Sequence, residues 1–266
     1  MSSAAFRPDD RPVRIAVQLA PQHLPLAALR DAAVRIEQMG ADLLLNWDHF
    51  FPLSGDPEGT HFEAWTQLAQ WAEATDRIEL GPLVNCNSYR NPNLQADMAR
   101  TIDHVSGGRF VFGTGSGWAQ RDYDEYGYEF GTVGSRLDDL ARDLPVIRDR
   151  WTRLNPPPVR RIPILIGGAG ERKTLRLVAE HADVWHSFVA PDALPHKLEV
   201  LQRHAAEVGR DVAEIEIGNE LRGADDAKAQ ALLDGGVRLF TLGVTGPDLD
   251  WDSIARWLAW RDARNA

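Results

Sequence analysis

Trp47-Asp48-His49 places two ionisable side chains directly after a predicted β-strand. A histidine changes its protonation state near neutral pH, so His49 can donate or accept a proton during a reaction. The neighbouring carboxylate of Asp48 can orient the imidazole or meet a substrate. A histidine that is only hydrogen-bonded within a loop is the alternative. The pair is a candidate for acid–base catalysis.

Two glycine-rich segments follow other predicted strands: residues 113–118 read GTGSGW and residues 166–173 read IGGAGERK. Glycines let a backbone approach a flat ring or a phosphate because no Cβ stands in the way. The second segment also leads into a predicted helix, whose first N–H groups attract a phosphate. It therefore predicts a phosphate site in this turn. For both segments the alternative is a tight turn without a ligand.

Asn85 and Cys86 end a further predicted strand, where polar side chains and backbone amides can hold the edge of a heterocycle. Cys86 is the single cysteine of the chain, so it cannot form an internal disulfide or a cysteine-rich zinc site. No basic residue is adjacent to it, which favours a small buried side chain over a nucleophile. The histidines lack metal-ligand spacings such as H-E-x-x-H, so no metal site is predicted.

These candidates lie at the ends of short apolar strands that alternate with longer segments of helical periodicity. This alternation is typical of βα units and a parallel sheet. Eight such units in 266 residues match the roughly 250 residues of a (β/α)8 barrel. A doubly wound sheet is the alternative, but it usually carries a glycine fingerprint after its first strand, where this chain has AVQLAPQHLP. The prediction is an α/β protein with one TIM barrel, and its strands span 13–19, 42–46, 78–84, 109–114, 162–167, 183–188, 214–218 and 237–243.

In such a barrel the active site lies on the loops that follow the strands. The loops after the second and fourth predicted strands are long, as functional loops often are. We predict that residues 13–266 form the barrel domain and that residues 1–12 are a flexible segment.

Composition limits the partners. The chain has 29 Lys and Arg against 39 Asp and Glu, a net charge of −10 that disfavours nucleic acid and anionic membrane surfaces. No apolar run approaches the ~18 residues of a membrane span. With one cysteine, these features predict a cytoplasmic protein. The nine tryptophans serve either a homodimer interface or core packing.

Taken together, the motifs resemble the bacterial-luciferase-like superfamily, and within it the branch of F420-dependent oxidoreductases. The matching segments include WDHF, RIELGPLVNCNSYRNPNLQADMARTIDHVSGGRFVFGTGSGW and IPILIGGAGERKTLRLVAEHADVWH, and the resemblance covers nearly the whole chain. It implies a deazaflavin or flavin at the mouth of a TIM barrel, with its phosphate on Gly167, Gly168 and Ala169. Asn85 and Cys86 would flank the ring, near a non-prolyl cis peptide that is frequent in relatives.

The resemblance further implies that Gly115, Ser116 and Gly117 line the cofactor tail or ring edge. His49 would be the proton donor or acceptor beside the reactive carbon, with Asp48 orienting it or the substrate. The implied reaction is hydride transfer between C5 of coenzyme F420 and a small organic molecule. Two alternatives remain open: an FMNH2-dependent monooxygenase that activates O2, and a non-catalytic protein that binds flavin or F420.

Two departures concern the substrate. F420-dependent glucose-6-phosphate dehydrogenases have a Glu where this chain has Trp118, and a Trp where it has Leu53. Loss of an acid and an aromatic ring at these positions disfavours a sugar-phosphate substrate. Residues 155–163 and 218–226 are also shorter than the corresponding segments of most relatives. This implies a more open pocket, or one closed by a second subunit.

Overall fold

Residues 11–266 are the part of the chain that the computed structural model describes, and here parallel strands alternate with helices. The flexible segment predicted for residues 1–12 lies outside this part except for its last two residues, so it stays a prediction. The strands are β1 (Arg14–Leu19), β2 (Leu43–Asn46), β3 (Glu79–Pro82), β4 (Asn85–Cys86), β5 (Phe112–Gly115), β6 (Ile164–Gly167), β7 (Val184–Ser187), β8 (Glu216–Glu220) and β9 (Leu239–Val244).

The helices lie between the strands and carry apolar stripes that face the sheet. Most begin at residues that satisfy the first free N–H groups, as in the capping box that Thr132 and Ser135 form. They are α1 (Leu26–Met39), α2 (Ala64–Ala74), α3 (Pro92–Val105), α4 (Gln120–Tyr126), α5 (Val133–Arg153), α6 (Thr174–His181), α7 (Leu194–Glu207), α8 (Asp226–Asp234) and α9 (Trp251–Asn265). Among the described residues, no helix has both the length and the apolar character that a membrane crossing requires.

The strand order β3-β2-β1-β9-β8-β7-β6-β5-β4 wraps the sheet into a nearly closed barrel. β3 lies within the third predicted strand, which spans 78–84, and β4 extends it by two residues beyond the non-prolyl cis peptide Leu83–Val84. β3 pairs with β2 and β4 pairs with β5, while Leu80 bridges to Phe110. The third strand thereby closes the ring, which confirms the predicted TIM barrel and its eight strand positions.

Two apolar layers hold the barrel. The larger one lies between the strands and the helices and includes the buried rings of Trp65, Trp71, Trp185 and Trp257. The smaller one fills the interior of the barrel and comes from strands all around the ring. We call it the interior cluster, and it consists of Ala16, Leu43, Leu45, Leu83, Val111, Leu165, Val184 and Leu239.

The two ends of the barrel differ in polarity. At the amino-terminal end, Arg14 forms ion pairs with Glu79 at 3.0 Å and Glu216 at 3.3 Å, so charged groups close it below the interior cluster. The carboxyl-terminal end, with the loops around it, is called the mouth below. Side chains alternate between the two faces of a strand. A residue that lies two or four positions along the same strand from a member of the interior cluster therefore points into the barrel or the mouth.

Candidate functional site

The end of β2 sends Asp48 and His49 to opposite sides of the barrel wall. Leu43 and Leu45 belong to the interior cluster, so alternation along the strand places Trp47 and His49 on the inner side. Asp48 then points toward the surrounding helices and loops. Adjacent residues of an extended segment cannot both face one site, which separates the two side chains that the sequence suggested as a pair.

Asp48 is buried and forms an ion pair with Arg90. Its Oδ2 and Oδ1 accept hydrogen bonds from Arg90 Nη1 at 2.6 Å and Nη2 at 3.0 Å, and Oδ2 also accepts the Cys86 N–H at 3.0 Å. Burial raises the pKa of the Asp48 carboxyl, and the Arg90 guanidinium opposes this rise. Asp48 thus links the ends of β2 and β4. The expectation that it orients His49 needs correction, since its oxygens are engaged here.

Asp122, near the start of α4, is the carboxylate that contacts His49. Its Oδ2 lies 2.6 Å from His49 Nδ1 and accepts the Tyr89 hydroxyl at 2.9 Å, while Oδ1 accepts the Phe50 N–H at 3.1 Å. Burial opposes ionisation of Asp122, but these hydrogen bonds outweigh it and hold the pKa of the carboxyl below its usual value. An ionised carboxylate only accepts, so Nδ1 is the donor and Nε2 remains for another partner.

The sequence analysis missed Asp122, which lies in the long loop region after β5. Its only local signal was its place in an acidic stretch of that region. Trp118, from the same region, meets the His49 ring edge-on with 5.3 Å between centroids. The indole is 65% exposed. The segment after β5 therefore supplies both the carboxylate that holds the imidazole and an open aromatic surface beside it.

The side chains of Asn85 and Cys86 are both engaged with other protein groups. Asn85 Oδ1 accepts the Trp65 indole N–H at 3.0 Å and its Nδ2 donates to Gln95 at 2.8 Å, so it links β4 to α2 and α3. Cys86 packs with Tyr123, and burial raises the pKa of its thiol to about 11. A nucleophilic thiolate is therefore disfavoured. The predicted contact of Asn85 and Cys86 with a ring stays a prediction.

Val84 occupies the position beside the mouth instead. A Cβ on Gly115 would lie 2.8 Å from Val84 Cγ2, and one on Gly167 would lie 3.0 Å from Val84 Cγ1. Glycine at both positions lets β5 and β6 approach this half-buried side chain. Gln18 Nε2 donates to the Leu83 carbonyl at 2.6 Å and holds the preceding residue. Val84 and the two glycines therefore form an apolar surface, which we call the floor.

The turn after β6 is open. Gly168 has φ 117° and is exposed, and its N–H donates to the His186 carbonyl at 3.0 Å. The N–H groups of Ala169 and Gly170 have no acceptor among residues 11–266. Glu171 brings a nearby negative charge, but Lys197 neutralises it at 2.6 Å. The turn predicted to hold a phosphate thus offers free amides.

Gly117 has a packing role of its own. Its φ is 78°, and a Cβ there would lie 2.2 Å from the Tyr123 hydroxyl and 2.5 Å from Cys86 Sγ. The Ser116 carbonyl accepts the same hydroxyl at 3.4 Å. Packing against Tyr123 accounts for Gly117, whereas Gly115 belongs to the floor. The cofactor contacts predicted for Ser116 and Gly117 stay predictions.

Two further histidines line the mouth in neutral form. Trp47 Nε1 donates to His61 Nε2 at 3.4 Å, and His186 Nε2 meets Thr241 Oγ1 at 2.9 Å. Burial is the main cause that lowers the pKa of each histidine to about 4. Phe188 follows β7 and is 73% exposed.

Within residues 11–266, no group of three His, Cys, Asp or Glu side chains is placed to hold a metal ion.

Comparison with known proteins identifies relatives along most of the chain. The model of a family described as luciferase-like monooxygenase matches residues 11–240. The pyrimidine monooxygenase RutA of Klebsiella pneumoniae is 28% identical over 218 residues, which cover 73% of this chain and 60% of that protein. The chain spans about three fifths of the length of the curated relatives it matches.

Solved structures share the barrel. An F420-dependent secondary alcohol dehydrogenase in complex with an F420–acetone adduct has a TM-score of 0.80 at 18% identity, covering 92% of this chain and 97% of that one. The oxygenating constituent of 3,6-diketocamphane monooxygenase from Pseudomonas putida, in complex with FMN, has a TM-score of 0.64 at 16% identity, covering 78% and 67%. At these identities the likeness shows the fold.

Proposed function

We propose that this chain, which belongs to the luciferase-like monooxygenase family, is an oxidoreductase that uses coenzyme F420 to transfer a hydride to or from a small organic molecule. The observation that carries the proposal is the His49–Asp122 pair, which holds an imidazole at the mouth with Nε2 available. The likeness to an F420-dependent alcohol dehydrogenase, over nearly the full length of both chains, supports F420 as the cofactor.

The residues at the mouth fit a flat ring with an anionic tail. The floor is apolar, because the Val84 side chain packs onto Gly115 and Gly167, which have no Cβ to push it away. The Ala169 and Gly170 amides, just beyond Gly167, are unused donors for a phosphate. Val84, Gly115 and Gly167 would hold the ring of such a cofactor, and the Ala169 and Gly170 amides would bind its phosphate.

When bound, the deazaflavin accepts or gives a hydride at its C5. Taking a hydride from a carbon that bears a hydroxyl or amino group leaves a proton on that heteroatom. His49 Nε2 takes this proton in the oxidation and returns it in the reduction, so charge does not build up on the substrate. The ring of Trp118 packs edge-on against the imidazole and covers that side of it.

Asp122 is a positioning residue in this proposal. Its carboxylate keeps the proton of the neutral imidazole on Nδ1 and favours the imidazolium that forms when Nε2 takes a second proton. The Tyr89 hydroxyl and the Phe50 N–H hold the carboxylate in place. Asp48 acts one step further away, because its ion pair with Arg90 fixes the segment that carries His49.

The direct experiment is a titration of the purified protein with F420, followed by the fluorescence and visible absorbance of the cofactor. We expect saturable binding at micromolar F420. The variant G168W, which places an indole on the turn, should weaken binding, while the exposed-surface variant V208A should not. Absence of wild-type binding would remove the proposal.

A second candidate function is an FMNH2-dependent monooxygenase. The similarity to pyrimidine monooxygenase RutA favours it. The same floor and turn suit FMN, because its ring is also flat and its tail ends in a phosphate. Tight binding of FMN together with oxygen consumption in the presence of a flavin reductase would select this function over the first.

A further inference from the structure

The wall of the mouth across from the floor carries a carboxylate that the proposed function does not use. Glu220 is the last residue of β8 and pairs in register with Thr241 of β9. Leu239, two residues before Thr241, belongs to the interior cluster, so Glu220 lies on the inner face of the sheet.

The strand order fixes where this carboxylate stands. β3 and β4 together occupy one position in the ring. Three strands separate β8 from this position on each side: β7, β6 and β5 on one, and β9, β1 and β2 on the other. The end of β8 is therefore diametrically opposite Val84. A ring on the floor would turn its second face toward β8 and β9, which is the side from which a substrate reaches it.

Glu220 is a partly buried group with a replaceable partner. Its side chain is 14% exposed, whereas that of Arg222, whose Nε lies 3.3 Å from Oε1, is 83% exposed. Burial raises the pKa of Glu220, and Arg222 and Lys228 oppose this rise. An ion pair to so exposed an arginine contributes little to stability, since water competes for both groups. Another cation can therefore take the place of Arg222.

The mouth has room beside Glu220 for such a cation. Gly243 follows Thr241 by two residues on the same face, and a Cβ built on it would meet no atom within 4 Å. His186 lies on the neighbouring strand β7, in register with Gly218 of β8, and burial lowers its pKa to about 4. His186 therefore supplies no competing positive charge to this wall at neutral pH.

We infer that Glu220 is a specificity-determining residue that selects substrates carrying an ammonium group. The ammonium N–H groups donate charge-assisted hydrogen bonds to the Glu220 carboxylate while the reacting carbon faces the ring. This inference rests on the proposed function, because the position of the ring on the floor defines the substrate side of the mouth.

The test uses three probes that share a phenyl ring and differ in charge: benzylammonium, benzyl alcohol and benzoate. Each is titrated into the F420-loaded protein at neutral pH, and the shift of the cofactor's visible absorbance gives a dissociation constant. We expect wild-type protein to bind benzylammonium about tenfold more tightly than benzyl alcohol, as a charge-assisted hydrogen bond allows, and benzoate most weakly. E220Q should lose this preference and bind benzyl alcohol unchanged.

R222Q is the matched control, because it removes the present partner and keeps the carboxylate. It should retain the preference for benzylammonium or increase it. The inference is overturned if E220Q weakens all three probes alike, if wild-type protein does not favour benzylammonium, or if no probe shifts the spectrum. These results leave the proposed function standing when F420 itself binds, whereas failure of wild-type protein to bind F420 removes both.

Discussion

His49 Nδ1 lies 2.6 Å from Asp122 Oδ2, although 73 positions separate the two residues in the chain. The contact joins the loop after β2 to the helix that follows β5, and Tyr89 from the segment after β4 reaches the same oxygen. Three neighbouring strand ends thus converge on one carboxylate. The imidazole is held by its Nδ1, and its second nitrogen is the atom with which the site can do chemistry.

Replacing His49 by alanine tests that chemistry. We expect H49A to lower kcat by about 10²–10⁴-fold, the usual contribution of a general acid or base, and to bind F420 with an unchanged dissociation constant. His104 provides a control, because its Nε2 hydrogen-bonds to the Pro157 carbonyl far from the mouth. H104A should keep wild-type turnover. Full activity in H49A would show that another group moves the proton.

Asp122→Asn tests positioning. An amide can turn its NH2 group toward Nδ1, and the imidazole proton then moves to Nε2. We expect kcat to fall at least about tenfold while KM and the F420 dissociation constant stay unchanged. Nitrogen NMR of the labelled histidine should report the changed tautomer. A loss of activity with an unchanged His49 spectrum would point to a structural defect instead.

The lowered pKa of Asp122 also predicts how stability depends on pH. A carboxyl whose pKa is lower in the folded state stabilises the protein above its unfolded value of about 3.9, and this contribution disappears as the pH falls through the folded value. Urea unfolding should show wild-type protein more stable than D122N at pH 7, with a difference that shrinks on acidification below about pH 4. A difference that does not change with pH would contradict this role.

The sequence predicted the barrel because each strand and each βα turn leaves a local pattern. Short apolar runs mark the strands, and glycines mark the positions where β5 and β6 approach Val84. The inner position of His49 and the outer position of Asp48 also follow from alternation beyond Leu45. That rule was available in the sequence and would have separated the two residues.

Asp122 and Asn85 could not be placed in this way. The contact of Asp122 with His49 depends on the path of the long segment after β5, which has no strand periodicity to orient its side chains. The burial of Asn85 against Trp65 and Gln95 depends on how α2 and α3 pack on β4. Both relationships are set by tertiary packing.

Gly115→Ala tests the floor. The new Cβ would come 2.8 Å from Val84 Cγ2, and a crowded core of this kind costs about 1–3 kcal/mol. We expect lower thermal stability and weaker F420 binding. V84A should restore part of both in the double variant, because it removes the methyl group that the new Cβ meets. Gly243→Ala is the control, since a Cβ there meets no atom within 4 Å, and it should melt close to wild type.

Asp48→Asn tests whether Asp48 stabilises the fold or acts directly on His49. Removal of one charge of a buried ion pair leaves Arg90 with Glu63, at 2.7 Å, as its remaining carboxylate partner. We expect a loss of about 3 kcal/mol or more in the free energy of unfolding, measured with urea at pH 7. Because the Asp48 oxygens bind Arg90 and the Cys86 N–H, His49 should keep its tautomer in D48N, in contrast to D122N. If the imidazole spectrum of D48N changed as that of D122N does, Asp48 would have to act directly on His49, and its assignment as a support for β2 and β4 would be wrong.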